Sequence, residues 1–447
     1  MDYQLSWKIR VRIHLMLCFT ILVLNAGQGR AETPIPFEAG LAVRDITPDP
    51  ELFHVPLGGY GERMNAPATG IHDSTLAKAL ILRQGNEKFA LVTLDLLGVP
   101  RSLRDEVISR IADTGINSDN LMLAASHTHA SVEMAAMNRA NVFGNPAIGI
   151  FDERLLDFTA QEIAEAIQEA DKSYIPVRAG TAAIQLPGMN RNRRGGKLTD
   201  NEMTVLRLDK LDGSPMVVLV NYTAHPTYMT AKVMQLSAGW PGYLQRSVES
   251  LLPGVTCMYT NGAEGDVAPS GGQGETPFAK AETYGQKLAA HAADLVKSIP
   301  SRPVTRFAFK THSLKLPKRE VPKALMQSAG PEYGLNEENI MHVVSAMAPE
   351  SSYLGVLQID DFFAVSIPGE MTSVLGLQIK QSLRDMGVGR PVIVGLGNEW
   401  ISYMLDIDEY HAGGYEPGVS FYGETLGPEV VRQAIEAGRG LLEGTSP

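Results

Sequence analysis

Two rhythms of apolar and polar residues alternate along most of the chain. Short apolar runs occupy residues 76–82, 89–94, 120–125, 177–184, 203–208, 216–220, 255–259, 307–314, 353–359, 362–367 and 391–396, and each reads as a strand. Between them lie segments whose apolar residues recur every three or four positions, the repeat of one helix face. Leu155, Phe158, Ile163 and Ile167 mark such a helix over 152–170. Residues 102–113, 240–252, 279–299, 371–386 and 428–442 read the same way. Asp360 and Asp361 separate two strand-like runs and predict a hairpin turn. The mixture predicts an α/β fold: a single large domain with mixed β-sheets flanked by helices. At ~150 residues per domain the length alone would allow two or three, but the pattern shows no clean break. Residues 300–350, with their Pro, Lys and Gly, read as an insertion or subdomain of it.

The first residues follow neither rhythm. Lys8, Arg10 and Arg12 precede an apolar run over 15–24, and small residues follow, with Gly29 and Ala31 placed as in a cleavage site. The run is shorter than the ~20 residues of a spanning helix and has the length of a signal-peptide core. Residues 1–31 are therefore expected to be a signal peptide, and 32–447 an exported domain, periplasmic or secreted. No later segment reads as transmembrane, so stable membrane insertion is not expected.

Charge and cysteine usage narrow the chemistry. The chain has 39 Lys and Arg against 50 Asp and Glu, a formal charge of −11, and loss of the leader takes this to −14. So acidic a surface argues against nucleic acid or anionic lipid as a partner. Cys18 leaves with the leader, and Cys257 alone cannot form an intrachain disulfide or a thiolate metal site. Any metal must be held by His, Asp, Glu or Tyr.

Such residues recur where strands end, the place where open α/β folds put their sites. The run 120–125 leads into Ser126, His127, Thr128 and His129. On an extended segment the two imidazoles would point the same way, as two ligands or as a ligand and a helper. The run 216–220 leads to His225, after which Pro226 turns the chain out of the strand. The run 362–367 ends in Pro368, Gly369 and Glu370 ahead of a helix, where a carboxylate could also serve as a cap. Two His and a Glu on three strand ends fit an open zinc site, which uses three protein ligands and water. Tyr403, Tyr410, Tyr415 and Tyr422 crowd the segment 398–422 and offer a phenolate ligand or a donor to an oxyanion. The glycine-containing loop 261–270 offers free N–H groups and Asp266, or is a plain turn. Arg191, in the basic loop 189–194, could bind a carbonyl or simply face solvent.

In chain order these segments resemble the catalytic N-terminal domain of the neutral/alkaline (non-lysosomal) ceramidases. The resemblance runs from Ala39 to Gly423, through residues 70–82, 126–129, 189–193, 221–227, 261–269, 367–370 and 398–422. It implies one zinc ion per chain held by His127, His225, Glu370 and Tyr403. It implies that His129, Arg191 and Tyr415 bind the scissile group, steady an oxyanion or move a proton. The twelve-residue step from Tyr403 to Tyr415 matches the family's pair. The chain departs from the family at Ala268, where the family has Ser. No C-terminal β-sandwich domain is expected.

The resulting expectation is an exported zinc-dependent hydrolase that cleaves an amide bond with zinc-activated water, a ceramidase-like N-acyl amidohydrolase of small-molecule or lipid-like substrates. An ester- or glycoside-cleaving enzyme with the same site and a non-catalytic binding protein of the same fold are the competing readings. Ala268 favours the last of these, and retention of all four ligands opposes it.

Overall fold

Burial on both faces of the strands dictates the layering. Along Leu76–Gln84, Ala77, Ala79 and Ile81 face one core and Leu80 and Leu82 another. Such a strand needs cover on both sides. In the computed structural model, which describes residues 35–336 and 338–444, a second sheet gives that cover on one side and helices on the other. The leader expected over residues 1–31 lies outside the described residues.

The larger sheet has eight strands in the spatial order Thr256–Asn261, Pro215–Tyr222, Glu202–Lys210, Ile175–Gln185, Phe37–Asp45, Leu76–Gln84, Glu87–Leu94 and Leu121–Ala125. Its two outermost pairs are parallel and the rest antiparallel. The smaller sheet runs Phe307–Lys315, Ser351–Ile359, Phe362–Ile367 and Arg390–Gly395, with the last pair parallel. Leu80, Leu91 and Leu219 of the larger sheet pack against Leu357, Phe362 and Val392 of the smaller.

Helices close the outer faces. Ile163 and Ile167 of Glu153–Ala170 cover Ala79 and Ile81. Gly239–Leu251 and Pro277–Ser298 lay Trp240, Leu244 and Leu288 over Val218, Val220 and Tyr259. Ser373–Asp385 and Leu426–Glu443 place Leu375, Ile379 and Val430 on Val365 and Ile393. The result is the mixed α/β domain that the pattern predicts, a helix–sheet–sheet–helix sandwich. Among the described residues no helix is long and apolar enough to cross a membrane.

Two regions need comment. Phe37–Asp45 was not among the predicted strands, yet it pairs along its whole length with Leu76–Gln84. The stretch read as an insertion supplies the strand Phe307–Lys315 and then the short helices Leu325–Gln327, Ala329–Glu332 and Ile340–Met347. Their Leu325, Ala329, Val343 and Val344 join the same core cluster as the strands and helices around the candidate site. The hairpin at Asp360 forms as predicted. Asp360 has φ +47, and its Oδ1 accepts the N–H groups of Thr305 and Arg306, both at 2.9 Å.

Candidate metal centre

The strand Leu121–Ala125 delivers His127, but not along an extended backbone. His127 has φ +69, a left-handed conformation that an imidazole-bearing residue adopts only at some cost. Its N–H donates to the Leu96 carbonyl at 2.9 Å, and its Nδ1 lies 2.6 Å from the Leu97 carbonyl. His225 sits beyond Pro215–Tyr222, with Nδ1 2.7 Å from the Glu264 carbonyl. The Asn261 carboxamide ties the two loops, donating to the carbonyls of Ser126 at 3.4 Å and Ala224 at 3.1 Å.

Glu370 and Tyr403 are neighbours by pairing. Glu370–Met371 and Tyr403–Met404 form a two-stranded parallel ladder with Glu370 opposite Tyr403. The ladder needs Gly369, because a Cβ there would lie 2.4 Å from the Ser402 carbonyl, whose oxygen accepts the Glu370 N–H at 3.1 Å. Asp266 anchors the helix that follows. Its Oδ1 accepts the Ser373 N–H at 2.7 Å, and its Oδ2 accepts Asn192 at 2.5 Å. Asp95 holds the Leu76 N–H and the Gln245 amide instead, at 3.1 and 3.2 Å.

Four predicted ligands therefore converge. The Nε2 atoms of His127 and His225 are 3.2 Å apart. Glu370 Oε2 is 3.0 Å from the His225 Nε2 and 3.3 Å from that of His127, and the Tyr403 hydroxyl is 3.5 Å from the His225 Nε2. All four side chains are buried, His225 completely.

This geometry is a test of fit for a cation. Each imidazole has a carbonyl oxygen at Nδ1, so that nitrogen carries the hydrogen and Nε2 presents a lone pair. Two lone pairs and a carboxylate oxygen facing one another repel unless a cation lies between them. Donors bonded at ~2.1 Å in a tetrahedron stand ~3.4 Å apart, close to the spacings seen. Electrostatics agree. Burial raises the Glu370 carboxyl, but positive charge on the His127 and His225 side outweighs it and holds the group well below the usual carboxylate range, and a cation would supply that charge while the rings stay neutral. Burial, with help from Arg193 and His127, lowers His225 to about 4, so it stays neutral. The residues fit a divalent metal.

Around the cluster, the predicted helpers fare differently. His129 comes in, with Nε2 3.3 Å from the Nε2 of His127 and Nδ1 buried without a partner. Burial first, and then His127 and His225, push its basicity well down. Its carbonyl accepts the buried Arg63 guanidinium at 2.7 Å. Tyr415 also comes in: its ring packs edge-on against Tyr403 with centroids 5.9 Å apart. Burial raises the pKa of its hydroxyl, which keeps the proton. Arg191 does not join them. It is exposed on the short strand Asn190–Asn192, opposite Ala268, and Arg193 takes the inner place. Arg193 donates to the Tyr403 hydroxyl at 3.1 Å and to Glu416 at 2.9 Å.

Sequence reasoning passed over three further groups. Trp400 donates from Nε1 to Glu370 Oε1 at 2.8 Å. Tyr333, from the roof formed by residues 325–347, places its hydroxyl 3.1 Å from that of Tyr415. Glu264 is fully buried with both carboxylate oxygens unpartnered. A lone Trp among tyrosines, and an acidic residue in a glycine loop after a buried strand, were the available signals.

The cluster floors a mostly apolar pocket. Leu97, Met134, Leu325, Val343, Met347 and Phe421 line its walls, with His127, His129, Glu370, Tyr403, Tyr415 and Tyr333 among its polar groups. Such a lining takes an apolar group and leaves one polar end facing the cluster.

Comparison with known proteins gives a consistent picture. A family model described as neutral/alkaline non-lysosomal ceramidase, N-terminal, matches residues 37–272. Neutral ceramidase A of Dictyostelium discoideum is 26% identical over 265 residues, covering 52% of this chain and 36% of that protein. Neutral ceramidase B of the same organism is 24% identical over 261 residues, with the same coverage. The chain thus spans about a third of the length of the curated relatives it matches. The crystal structure of neutral ceramidase from Pseudomonas aeruginosa superposes with a TM-score of 0.77 at 18% identity, over 93% of this chain and 76% of that one. A ceramidase complexed with C2 gives 0.76 at 19%, over 92% and 76%.

Proposed function

Since this chain belongs to the neutral/alkaline non-lysosomal ceramidase family, we propose that it is an exported zinc-dependent hydrolase that cleaves the amide bond of an N-acyl substrate. The observation that carries the reading is the meeting of two imidazole lone pairs, Glu370 and Tyr403 at the floor of an apolar pocket. Export rests on the leader pattern of the first residues.

His127, His225, Glu370 and Tyr403 hold the ion, which when bound supplies a Lewis acid and a water acidic enough to react near neutral pH. The remaining work falls to the chain's own groups. The apolar walls take the acyl chain and exclude bulk water. Tyr415, protonated, donates its O–H to the carbonyl oxygen as negative charge builds there. Tyr333 accepts from or donates to Tyr415 and fixes the direction of that hydroxyl. His129, neutral because it is buried, accepts a proton and returns it to the leaving amine. Arg193 holds the Tyr403 oxygen in place. Arg191 has no part in this scheme.

The test is metal analysis with a substrate panel. Purified protein is expected to hold a single zinc ion per chain, and His127→Ala to lose both metal and activity. N-acyl amide substrates are expected to be cleaved in preference to ester and glycoside chromogens. A metal-free protein with full activity, or an ester preference, would overturn the reading.

A further inference from the structure

We infer that Glu264 is a further ligand of the metal centre, adding a second carboxylate to the His127, His225, Glu370 and Tyr403 set. Glu264 has no exposed surface, and neither of its carboxylate oxygens meets a hydrogen-bond donor. A buried carboxylate is paired, hydrogen-bonded or bound to metal, and a carboxyl with none of these keeps its proton. The place of Glu264 beside His127 and Glu370 points to the metal. One of its oxygens lies within 4.8 Å of a His127 nitrogen and a Glu370 oxygen. Donors on opposite sides of an ion with bonds of ~2.1 Å are ~4.2 Å apart, so a small closing movement puts Glu264 in one coordination sphere with His127 and Glu370.

The backbone around Glu264 is arranged to hold it there. Its own carbonyl takes His225 Nδ1 at 2.7 Å, so the residue that orients one ligand presents its side chain to the same cluster. Gly395, at the end of the strand Arg390–Gly395, leaves the space: a Cβ there would stand 2.5 Å from Glu264 Oε2. Next to it Gly265 lies so close to the ladder that a Cβ would be 2.7 Å from the Glu370 carbonyl. The backbone of the loop is thereby fixed against the Glu370 ladder, with the Gly265 N–H on the Met371 carbonyl at 2.8 Å.

A second carboxylate has a definite consequence. Two imidazoles, two carboxylates and a phenol are richer in oxygen than the four-ligand set. They favour a higher coordination number and a harder ion, and raise Mn2+ relative to Zn2+.

The inference rests on the proposed metal-dependent reading, and the experiment separates the two. Wild type and Glu264→Gln, as full-length protein, are stripped and titrated with Zn2+, Mn2+ and Co2+ against a competing chelator, and the Co2+ absorption spectrum is recorded. The four ligands and a water make five, so with Glu264 added wild type is expected to show the very weak d–d bands of a six-coordinate ion. Glu264→Gln is expected to bind every ion at least tenfold more weakly, to lose Mn2+ most, and to give more intense bands. Equal affinities and spectra in the two proteins would overturn the role of Glu264 and leave the four-ligand site standing. So would a weaker affinity with an unchanged spectrum, since that marks a residue that only positions others. A four- or five-coordinate spectrum in wild type overturns the inference even if the variant fails to fold. A wild-type protein that binds none of the ions would overturn the metal-dependent reading itself.

Discussion

Replacing Trp400 by Phe keeps an aromatic ring and removes the one hydrogen bond that the indole gives to the centre. The indole Nε1 donates to Glu370 Oε1 at 2.8 Å, and both residues are buried. Water cannot enter freely to replace the donor, so Oε1 is left desolvated and unpaired. A hydrogen bond to a charged group contributes ~1.5–3 kcal/mol. At ~1.4 kcal/mol per tenfold, that is ~10- to 150-fold in the affinity of Glu370 for a cation. The range agrees with the ~10- to 100-fold loss typical when a group that orients a metal ligand is removed. The partners that orient the two imidazoles, the carbonyls of Leu97 and Glu264, belong to the main chain and cannot be deleted, and Arg193, which holds Tyr403, also pairs with Glu416. Trp400 is thus the accessible handle. The smaller ring also leaves space beside Phe421, which lowers thermal stability without touching the ligands. Trp400 lines the pocket as well, so activity cannot separate its roles. Chelator competition for zinc can. A folded Trp400→Phe protein with wild-type zinc affinity would refute the reasoning and reduce Trp400 to packing.

Two other expectations follow from the geometry. Gly59 has φ +87, and a Cβ there would stand 2.3 Å from His129 Nδ1; Gly59→Ala should displace that ring and cut kcat/KM by tenfold or more, while metal analysis still finds the ion on His127, His225 and Glu370. Asp95 is raised to about 6 by burial, against the pull of Lys78 and the Leu76 N–H, so the folded state binds a proton that the unfolded state has released between its ordinary value of 3.8 and 6. Stability from this group is complete below pH 3.8 and is lost as pH rises through 6, a cost of ~3 kcal/mol. Asp95→Asn should therefore stabilise the protein by about that much in denaturant titrations at pH 8, with the gain shrinking towards pH 5.

The layers were legible in the sequence because they are made by alternation. Runs such as 76–82 and 362–367 are apolar on both faces, and the helices between them repeat every three to four residues, so both periods survive in the sequence. Phe37–Asp45 escaped because its buried and exposed positions follow no regular alternation, although it is central to the sheet. Ligand types at strand ends were also legible, since His127, His225 and Glu370 each follow an apolar run. The reason given for His127 and His129 facing one way was not the operative one. Strand alternation predicts it, but His127 has φ +69, and a turn held by the Leu96 and Leu97 carbonyls brings the rings together. Arg191 and Arg193 could not be told apart. Which of them turns inward depends on the pairing of Asn190–Asn192 with Val267–Pro269 and on Glu416, more than two hundred residues away in the chain.

Ala268 stands where the resemblance leads one to expect a Ser, and the structure locates that position. Ala268 is 6% exposed, pairs with Arg191 on the short ladder, and brings no hydroxyl to the site. Under the proposed reading, proton handling must then come from other groups that reach the pocket. The hydroxyls that line the pocket beside the ligands are those of Tyr415 and Tyr333. They are 3.1 Å apart and both raised by burial, so they form one protonated pair. Tyr333 is held in place from outside the central layers. Asn145 donates to its carbonyl at 2.8 Å, and the Gly61 N–H to Glu332 beside it at 3.1 Å. The same roof carries Leu325, Val343 and Met347 into the apolar wall. Under the proposed reading, the pocket wall and the orientation of the Tyr415 hydroxyl are therefore set by one segment. A roof that shifts to admit a different acyl group also moves the hydroxyl that orients Tyr415, which ties the specificity of this chain to its rate through residues 325–347 rather than through the glycine-rich loop.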